Sequence, residues 1–386
     1  MEPIAMNGDM AIAYAWKQID PDVVAAYPIT PQTIIVEAFS DYVADGHVTT
    51  EYVCAESEHS AMSLCVGASA AGARTATATA SAGLAFMWEM LYIAASMRLP
   101  IIMAVANRAL SGPINIHCDH GDAMGSRDSG WIQIFGENAQ EAYDNSIMAF
   151  RIAEHPDIRL PVMVNLDGFI TSHSLENMSL LPDEVVKRFV GEFKPIRPLL
   201  DVQRPSSYGP FDSPEYYFEH KYQQVKAMEA SFQVIRDVQS EFAKISGRSY
   251  DIIEPYRLDD ADYVVMAAGS TAGTLRAVVD GLRDEGEKVG SVKLRLFRPF
   301  PAREIAKLLN GKKAVAVMDR AISFGSAGPI FPEVRAALYD CPGKPKIVDY
   351  VYGLGGRDVG VDDIRVVYEQ LMKGESKSVN YLGVRI

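Results

Sequence analysis

The sequence predicts an α/β protein in which a doubly wound first unit is followed by a second, smaller α/β unit. Apolar runs typical of buried strands alternate with amphipathic, helix-like stretches up to about residue 175. A proline-rich segment interrupts this alternation, which resumes at residue 261. We therefore expect a first domain over residues 1–250, with an arm and a long helix over about 176–250, and a second domain over residues 251–386.

Cap residues, periodicity and apolar runs define the elements of the first unit in chain order. Helices are predicted at 10–16, 33–43, 58–71, 84–97 and 140–154, strands at 23–27, 49–54, 99–106 and 160–166, and a run of alternating small apolar and hydroxyl residues lies at 75–81. The nearly continuous apolar run at 99–106 is typical of a parallel strand covered on both faces. Residues 111–130 are polar and aperiodic, which predicts a long functional or mobile loop.

The amino-acid composition of the chain changes after the first unit. Residues 181–215 contain six prolines and few apolar runs, which indicates a crossing segment or an extended arm. A long charged helix is predicted over 215–246. The second unit then follows, with strands predicted at 261–270, 289–296 and 313–318 and helices near 274–285 and 362–372.

Composition and charge exclude several classes of function. The chain has 386 residues, 48% of them hydrophobic, which is enough apolar material for two cores. A net charge of -13 and a pI near 5.1 argue against nucleic-acid and anionic-membrane partners. We expect a cytoplasmic location, because no secretion signal is evident and no apolar run reaches the roughly 18 residues of a membrane span. The four cysteines lack iron–sulfur spacing, so we expect no cluster on this chain.

Three polar residues, Thr30, Glu58 and Arg108, each follow an apolar run that is predicted to be a strand. In open α/β sheets, ligands bind at the carboxyl ends of the strands. We therefore expect these residues to offer a hydroxyl, a carboxylate and a guanidinium to a small anionic substrate. Pro28 and Pro31 restrict the backbone on both sides of Thr30, so its hydroxyl should be rigidly placed.

Each of these residues also has an ordinary structural interpretation. Glu58 lies at a predicted helix start, where the helix dipole favours a carboxylate. Arg108 is equally compatible with a surface or ion-paired arginine, and Thr30 with a turn. A planar guanidinium is nevertheless well suited to bidentate pairing with the carboxylate of a small anionic substrate.

The His-Cys-Asp-His segment at 117–120 brings together potential metal ligands. Consecutive residues rarely bind one ion and no second ligand pair is evident, so we predict no metal site. We expect a loop that lines the cleft or meets a partner, with Asn115, His117 and Asp119 as candidates for supporting contacts. The glycines at 269–273 depart from the dinucleotide fingerprint, and those at 353–358 are typical of a turn or interface loop.

Several motifs in a fixed order resemble one enzyme family. They are Tyr-Pro-Ile-Thr-Pro at 27–31, Ser-Glu-His at 57–59, Asn-Arg-Ala-Leu at 107–110, Ile-Asn-Ile-His-Cys-Asp-His at 114–120, Arg-Asp-Ser-Gly-Trp-Ile-Gln at 127–133 and Arg-Pro-Phe-Pro at 298–301. Together they resemble the α subunits of the 2-oxoacid:ferredoxin oxidoreductases, most closely the pyruvate:ferredoxin form built from separate subunits. The resemblance extends over nearly the whole chain.

This resemblance implies a thiamine-diphosphate-binding domain of the pyrimidine type, followed by a domain like the C-terminal domain of transketolases. It implies that Glu58 bonds N1′ of the aminopyrimidine, with Glu56 as the alternative if the register differs, and that Arg108 and Thr30 bind the substrate carboxylate. Thiamine enzymes hold Mg²⁺ and diphosphate on a Gly-Asp-Gly segment, and the sequence contains none. Thiamine diphosphate is therefore expected to be shared with a β subunit, with Mg²⁺ and [4Fe-4S] clusters on partner subunits.

The same resemblance implies the reaction and the partners. Pyruvate and CoA are expected to give acetyl-CoA and CO2, with ferredoxin as electron acceptor, in a complex with β, γ and δ subunits. A branched-chain 2-oxoacid:ferredoxin oxidoreductase is the nearest alternative, because its α subunit shares the motifs, although residues 117–120 favour pyruvate. An oxalate-using relative fits less well, since it departs from Pro-Ile-Thr-Pro.

Outside this class, a non-catalytic scaffold subunit would explain the missing diphosphate motif equally well. The sequence leaves open the preferred 2-oxoacid, the direction of the reaction, the copy number of the complex and the role of residues 117–120.

Overall fold

Residues 3–385 are described by the computed structural model, and their strands form two large sheets and a small two-stranded one. The strands are β1 Ile4–Met6, β2 Val23–Ala26, β3 Glu51–Cys54, β4 Thr75–Thr79, β5 Ile102–Asn107, β6 Ile132–Phe135, β7 Val162–Asp167, β8 Glu176–Met178, β9 Ile253–Tyr256, β10 Tyr263–Ala267, β11 Val289–Leu294, β12 Leu296–Arg298, β13 Ala314–Asp319, β14 Lys346–Val351 and β15 Val379–Tyr381. The helices are α1 Gly8–Ile19, α2 Thr33–Ala44, α3 Glu58–Ala71, α4 Ser81–Phe86, α5 Trp88–Ser96, α6 Gly121–Gly125, α7 Ala139–Glu154, α8 Asp183–Val190, α9 Pro214–Ser246, α10 Thr271–Asp284, α11 Ala302–Leu309, α12 Ile330–Leu338 and α13 Val361–Lys373. The α/β fold class is confirmed.

The first sheet has seven strands in the order β12-β6-β7-β5-β4-β2-β3. The six strands from β6 to β3 are parallel, and β12 is antiparallel at the edge. Parallel strands joined by helical crossovers place helices on both faces of the sheet. The carboxyl ends of the six parallel strands consequently meet at one edge.

Strand β5 shows that both faces of this sheet are covered. Ile102, Ala104 and Ala106 belong to one apolar core, which also contains residues of α1, α2 and α7. Met103 and Val105 belong to a second core, which contains residues of α3, α4 and α5. The alternation of side chains along a strand thus divides an uninterrupted apolar run between two helical layers.

Local sequence specifies where two important helices begin. The Asn7 side chain accepts a hydrogen bond from the Met10 N–H at 2.8 Å, and the Ser57 side chain accepts one from the Ser60 N–H at 3.1 Å. Both satisfy N–H groups that the first helical turn leaves unpaired. The second cap fixes the start of α3 at Glu58.

The second sheet has six strands in the order β15-β14-β13-β10-β11-β9. Strands β15 to β11 are parallel, and β9 is antiparallel at the edge. The strand predicted at 289–296 is wrong as a single element. It divides at Arg295 into β11, in the second sheet, and β12, which pairs with β6 of the first sheet.

Other expectations also need correction. The helix predicted at 84–97 is divided at Met87, whose backbone ψ is 0°. The loop at 111–130 contains α6, whose five residues are too few to show a helical period. The proline-rich arm contains α8, which buries Val186, Phe189 and Val190 on one face.

The long charged helix is confirmed as α9, with 33 residues. It begins with Pro214, at a position where the helix leaves the backbone N–H unpaired, so that proline is tolerated there. It is followed by Gly247, whose φ of 71° ends the helix. Among the helices within residues 3–385, none combines the length and the apolar character needed to cross a lipid bilayer.

Candidate active site

The predicted site residues follow neighbouring strands of the first sheet. Thr30 follows β2, Glu58 follows β3 and Arg108 follows β5 directly. The strand order β5-β4-β2-β3 and the parallel pairing place all three at the same edge. The structure thus confirms the prediction that the three residues lie at one edge of the sheet.

Two backbone carbonyls hold the guanidinium of Arg108, a residue that is 6% exposed. Nη1 donates to the Thr30 carbonyl at 2.8 Å, and Nε donates to the Asn115 carbonyl at 3.0 Å. Within residues 3–385, no acceptor is hydrogen-bonded to Nη2. Thr30 and Arg108 are therefore in direct contact, and the Nη2 group of the guanidinium is left for a ligand.

Glu58 is the first residue of α3 and is 8% exposed, whereas Glu56, the alternative considered from the sequence, is exposed. Glu58 lies beside Gly83 of α4 and Thr79 of β4. A Cβ added to Gly83 would lie 2.5 Å from Thr79 Oγ1 and 2.8 Å from Glu58 Oε1. Thr79 Oγ1 is buried and has no hydrogen-bond partner among the described residues. A buried carboxylate and an unpaired hydroxyl therefore converge at a glycine.

Asp122 of α6 joins the ends of β4 and β5. Its carboxylate accepts hydrogen bonds from the backbone N–H groups of Ser81 at 2.9 Å, Arg108 at 3.0 Å and Ala123 at 2.7 Å, and from Asn107 Nδ2 at 2.9 Å. Burial raises the pKa of Asp122 to about 6, and these donors oppose the rise. The backbone of Arg108 is thus fixed by a carboxylate that shows no motif in the sequence.

Asp167, the last residue of β7, lies fully buried where the two units meet. It accepts from Ser270 Oγ at 2.6 Å and Arg320 Nη1 at 3.0 Å, both in the second unit, and it is 2.7 Å from His120 Nε2. Burial acts to raise the pKa of Asp167, but His120 and Arg320 bring it well below its ordinary value. An ionised carboxylate of the first unit therefore anchors the second.

The ligand atoms of Cys118, His120 and Asp167 lie within 4.8 Å of one another, as in some metal sites. However, Arg320 Nη1 donates to Asp167 Oδ2 and also, at 3.3 Å, to Cys118 Sγ. Burial raises the pKa of the Cys118 thiol, away from the thiolate that binds metals. Because a fixed guanidinium already supplies the positive charge, we interpret the group as an ion cluster.

Residues 114–120 pack against the second unit of the same chain, a contact that the sequence did not indicate. Asn115 Nδ2 donates to the Gly355 carbonyl at 3.0 Å, and the Gly356 N–H donates to the Cys118 carbonyl at 2.7 Å. A cavity of 360 Å³ lies beside this contact and is lined in part by Arg320. The glycines predicted to form a turn or interface loop do contact another segment.

Sequence reasoning missed Asp122, Asp167 and Arg320. Asp167 ends the apolar strand β7 and Arg320 follows the apolar strand β13, so the rule that selected Arg108 would have selected them too. Asp122 follows no strand and belongs to a five-residue helix, so its role could not be read from residue type or spacing.

Two family models match successive parts of this chain. Residues 14–240 match the family model described as pyruvate flavodoxin/ferredoxin oxidoreductase, thiamine diphosphate binding. Residues 261–364 match the model described as pyruvate:ferredoxin oxidoreductase core domain II. The first match alone covers more than half of the chain.

Two curated relatives are similar over nearly their whole length. Pyruvate synthase subunit PorA of Thermotoga maritima is 57% identical over 100% of this chain and 99% of the relative. Ketoisovalerate oxidoreductase subunit VorA of Pyrococcus abyssi is 44% identical over 95% of this chain and 93% of the relative.

Two solved structures share the fold. A 2-oxoglutarate:ferredoxin oxidoreductase from Magnetococcus marinus aligns with a TM-score of 0.76 at 19% identity; the alignment covers 96% of this chain, which spans 65% of that protein chain. A split-gene transketolase aligns with a TM-score of 0.55 at 11% identity, covering 96% of this chain and 99% of that one. At these identities the likeness concerns the fold alone.

Proposed function

We propose, from the premise that this chain belongs to the pyruvate flavodoxin/ferredoxin oxidoreductase family, that it is the α subunit of a pyruvate:ferredoxin oxidoreductase. In this reaction pyruvate and CoA give acetyl-CoA and CO2 while ferredoxin is reduced. The observation that carries the proposal is the contact between Arg108 and Thr30, which leaves the Nη2 group of Arg108 without an acceptor among residues 3–385. A cation and a hydroxyl at one sheet edge suit the carboxylate of a 2-oxoacid.

Two observations favour this proposal over its alternatives. The chain shares 57% of its residues with the pyruvate synthase relative and 44% with the ketoisovalerate relative, which favours pyruvate over a branched-chain 2-oxoacid. The buried Arg108 and Glu58, with unpaired polar atoms beside them, favour a substrate-binding subunit over a scaffold.

The described residues fit one half of thiamine diphosphate. When bound, this cofactor supplies a nucleophilic carbon, C2 of its thiazolium ring, that can add to a keto group. Glu58 provides a buried carboxylate, Thr79 an unpaired buried hydroxyl, and Gly83 the open space between them. We assign Glu58 to N1′ of the aminopyrimidine, where it would hold and share a proton.

The residues of this chain would then act mainly by binding and orienting the substrate. Arg108 would pair with the substrate carboxylate, and the Thr30 hydroxyl would donate a hydrogen bond to it. Both contacts orient the keto carbon towards the cofactor side of the cleft. Such orientation and electrostatic positioning lower reaction barriers by several kcal/mol in enzymes.

This chain would supply only part of the complete enzyme. Its sequence lacks the Gly-Asp-Gly segment for diphosphate and Mg²⁺ and the cysteine spacing for a cluster. We therefore assign Mg²⁺, the diphosphate contacts and the proximal [4Fe-4S] cluster to a β subunit and further clusters to a δ subunit. A γ subunit completes the complex, and thiamine diphosphate is shared between this chain and the β subunit. We place the complex and its ferredoxin in the cytoplasm.

We place the boundary between the two domains at residue 250. This position falls between the end of α9 at Ser246 and the start of β9 at Ile253. Strand β12 lies beyond the boundary and pairs with β6, so the second domain supplies an edge strand of the first sheet.

Arg108→Ala in the reconstituted complex tests the proposal. We expect kcat/KM for pyruvate to fall about a hundredfold, since a hydrogen bond to a charged group is worth up to about 3 kcal/mol and 1.4 kcal/mol is tenfold. Turnover is measured as CoA-dependent reduction of a viologen dye, with pyruvate, 2-oxoisovalerate and oxalate compared. Arg204→Ala, at an exposed ion pair, should leave it unchanged. Near-normal turnover of an assembled Arg108→Ala complex would support the scaffold alternative.

A further inference from the structure

Asn115 is hydrogen-bonded both to Arg108 and to the second unit, and it therefore connects them. Its backbone carbonyl accepts from Arg108 Nε at 3.0 Å, and its Nδ2 donates to the Gly355 carbonyl at 3.0 Å. Its Oδ1 accepts from the His117 N–H at 2.7 Å, which holds the side chain in place. One residue therefore joins the guanidinium to a turn about 240 positions later in the chain.

The partner of Asn115 is a glycine turn over residues 353–356. The φ angles of Gly353, Gly355 and Gly356 are 63°, 60° and 76°, a region that other residues avoid. A Cβ on Gly355 would lie 2.6 Å from Asn115 Nδ2, and one on Gly356 would clash with His117. Glycine is thus required both for the backbone conformation and for the close approach.

The segment that carries Asn115 is tied to the first unit by the hydrogen bond from the Ala109 N–H to the His117 carbonyl at 3.0 Å, and it has little other support there. Leu110 and Ile114 are 42% and 77% exposed, so its outer part is not held by a core. The inner part is pinned at Cys118, whose carbonyl accepts from the Gly356 N–H and whose Sγ accepts from Arg320 Nη1. The location of the Asn115 carbonyl therefore depends on the second unit.

We propose that Asn115 and the glycine turn position Arg108, so that the second unit tunes the affinity of the enzyme for its 2-oxoacid. Asn115 is a positioning residue, because it reaches the substrate only through the guanidinium. This inference rests on the proposed function of Arg108 in binding the substrate carboxylate. When the Asn115 contact is lost, the bond from Arg108 to the Thr30 carbonyl remains, so the guanidinium still orients a bound substrate. The loss then weakens binding in the ground state and in the transition state alike, which raises KM with little change in kcat.

Asn115→Asp isolates the contact, since it keeps Oδ1 for His117 and replaces the donor that faces the Gly355 carbonyl by an oxygen. In the reconstituted complex we expect KM for pyruvate to rise about tenfold, the effect of losing one hydrogen bond. We expect kcat to stay within about twofold and KM for CoA to stay unchanged. A general structural defect would instead lower kcat or the yield of assembled complex.

Gly355→Ala tests the same contact from the other side without a change of charge. It should reproduce the rise in KM for pyruvate. Gly374→Ala is the matched control, because Gly374 also has a positive φ, 73°, but an added Cβ would have no atom within 4 Å. The control should keep the wild-type KM.

Unchanged KM for pyruvate in both Asn115→Asp and Gly355→Ala would overturn the inference, as would an equal loss of all kinetic constants. The Arg108→Ala complex separates the two proposals. If it loses activity while Asn115→Asp binds pyruvate normally, only the positioning inference fails. If Arg108→Ala is also normal, the proposed function and the inference fail together.

Discussion

Two buried carboxylates at the sheet edge show how surroundings set the ionisation of a residue. Asp122 is surrounded by neutral N–H donors, and burial raises its pKa to about 6. Asp167 is equally buried, but His120 and Arg320 overcome the effect of burial and lower its pKa. One residue type thus serves as a backbone clamp in the first case and as an ionic anchor in the second.

Asp122→Asn should loosen the backbone of Arg108. The new amide has a single acceptor oxygen, so an amide NH2 would face N–H groups that now bind a carboxylate. We expect a loss of about 1–3 kcal/mol in the free energy of unfolding and a higher KM for pyruvate. Denaturant titration and steady-state kinetics measure both effects. Asp128→Asn, at a 70% exposed side chain, should change neither, and equal behaviour of the two variants would contradict the clamp.

Asp167→Asn should remove a pH-dependent part of the stability. The folded pKa of Asp167 is depressed, so its contribution is present above the unfolded pKa, about 3.9, and is lost as pH falls through the folded pKa. We expect the variant to be less stable by about 3–5 kcal/mol at pH 7, because Arg320 loses its buried partner.

The difference in the free energy of unfolding between Asp167→Asn and the wild type should shrink steadily below about pH 4. Denaturant titrations of both proteins between pH 7 and pH 3 measure it. Asp157→Asn, at a 75% exposed side chain, is the control. A difference that stays constant with pH would show that the Asp167 carboxylate is not the source.

At the scale of elements, the short helix α4 matters because Gly83 places no side chain beside Glu58 and Thr79. Gly83 lets α4 approach Glu58 on α3 and Thr79 on β4 closely enough for their polar atoms to share one space. Helix α3 contributes the carboxylate at its first turn, where unpaired N–H groups favour negative charge. The site therefore depends on the packing of two helices as much as on their residues.

Gly83→Ala should displace Glu58 or close the space beside it. An added Cβ would lie 2.8 Å from Glu58 Oε1 and 2.5 Å from Thr79 Oγ1. We expect weaker binding of thiamine diphosphate by the assembled complex and a fall in kcat/KM of about tenfold or more. Isothermal titration of the cofactor and the viologen assay measure these effects.

Gly67→Ala in α3 is the matched control for this variant, since its added Cβ has no atom within 4 Å. Alanine is the better helix former, so the control should be as stable as wild type or slightly more stable. Normal cofactor binding by Gly83→Ala would remove the argument that this space holds the cofactor.

At the scale of the whole molecule, a buried ion cluster joins the two units. Lys293 and Arg295 of the second unit are 4% and 1% exposed and face Glu137 and Glu141 of the first. Burial acts to lower the pKa of Lys293, but Glu141 and Glu137 raise it above its ordinary value. Together with β12, which crosses between the sheets, this cluster fixes the second unit against the first.

Lys293→Met should therefore destabilise the chain by about 3 kcal/mol, because Glu137 and Glu141 lose the buried cation that they share, although Glu137 keeps Arg276 and Glu141 keeps Arg295. Lys313→Met is the control, since the ion pair of Lys313 with Asp262 is exposed and should contribute no more than about 1 kcal/mol. Denaturant titration of the two variants measures the difference. Similar losses in both would mean that the cluster adds little to the contact between the units.

The sequence by itself determined the elements whose causes are local. The apolar run at 99–106 predicts a doubly covered strand, found as β5, and the helix predicted over 58–71 is found as α3, with Glu58 as its first residue. The positions of Thr30, Glu58 and Arg108 after apolar runs predicted their common edge. Caps, periodicity and strand ends are properties of neighbouring residues, so the sequence displays them directly.

Only the tertiary structure decided the contacts between distant segments. The crossing of β12, the clamp at Asp122 and the bond from Asn115 to Gly355 join residues that share no periodic pattern. Their energies depend on burial and on the geometry of groups up to about 240 positions apart, which one-dimensional spacing does not record. The contacts of Asp122 and Asn115 hold Arg108 in place. Arg108 could therefore be identified from the sequence, but the contacts that hold it could not.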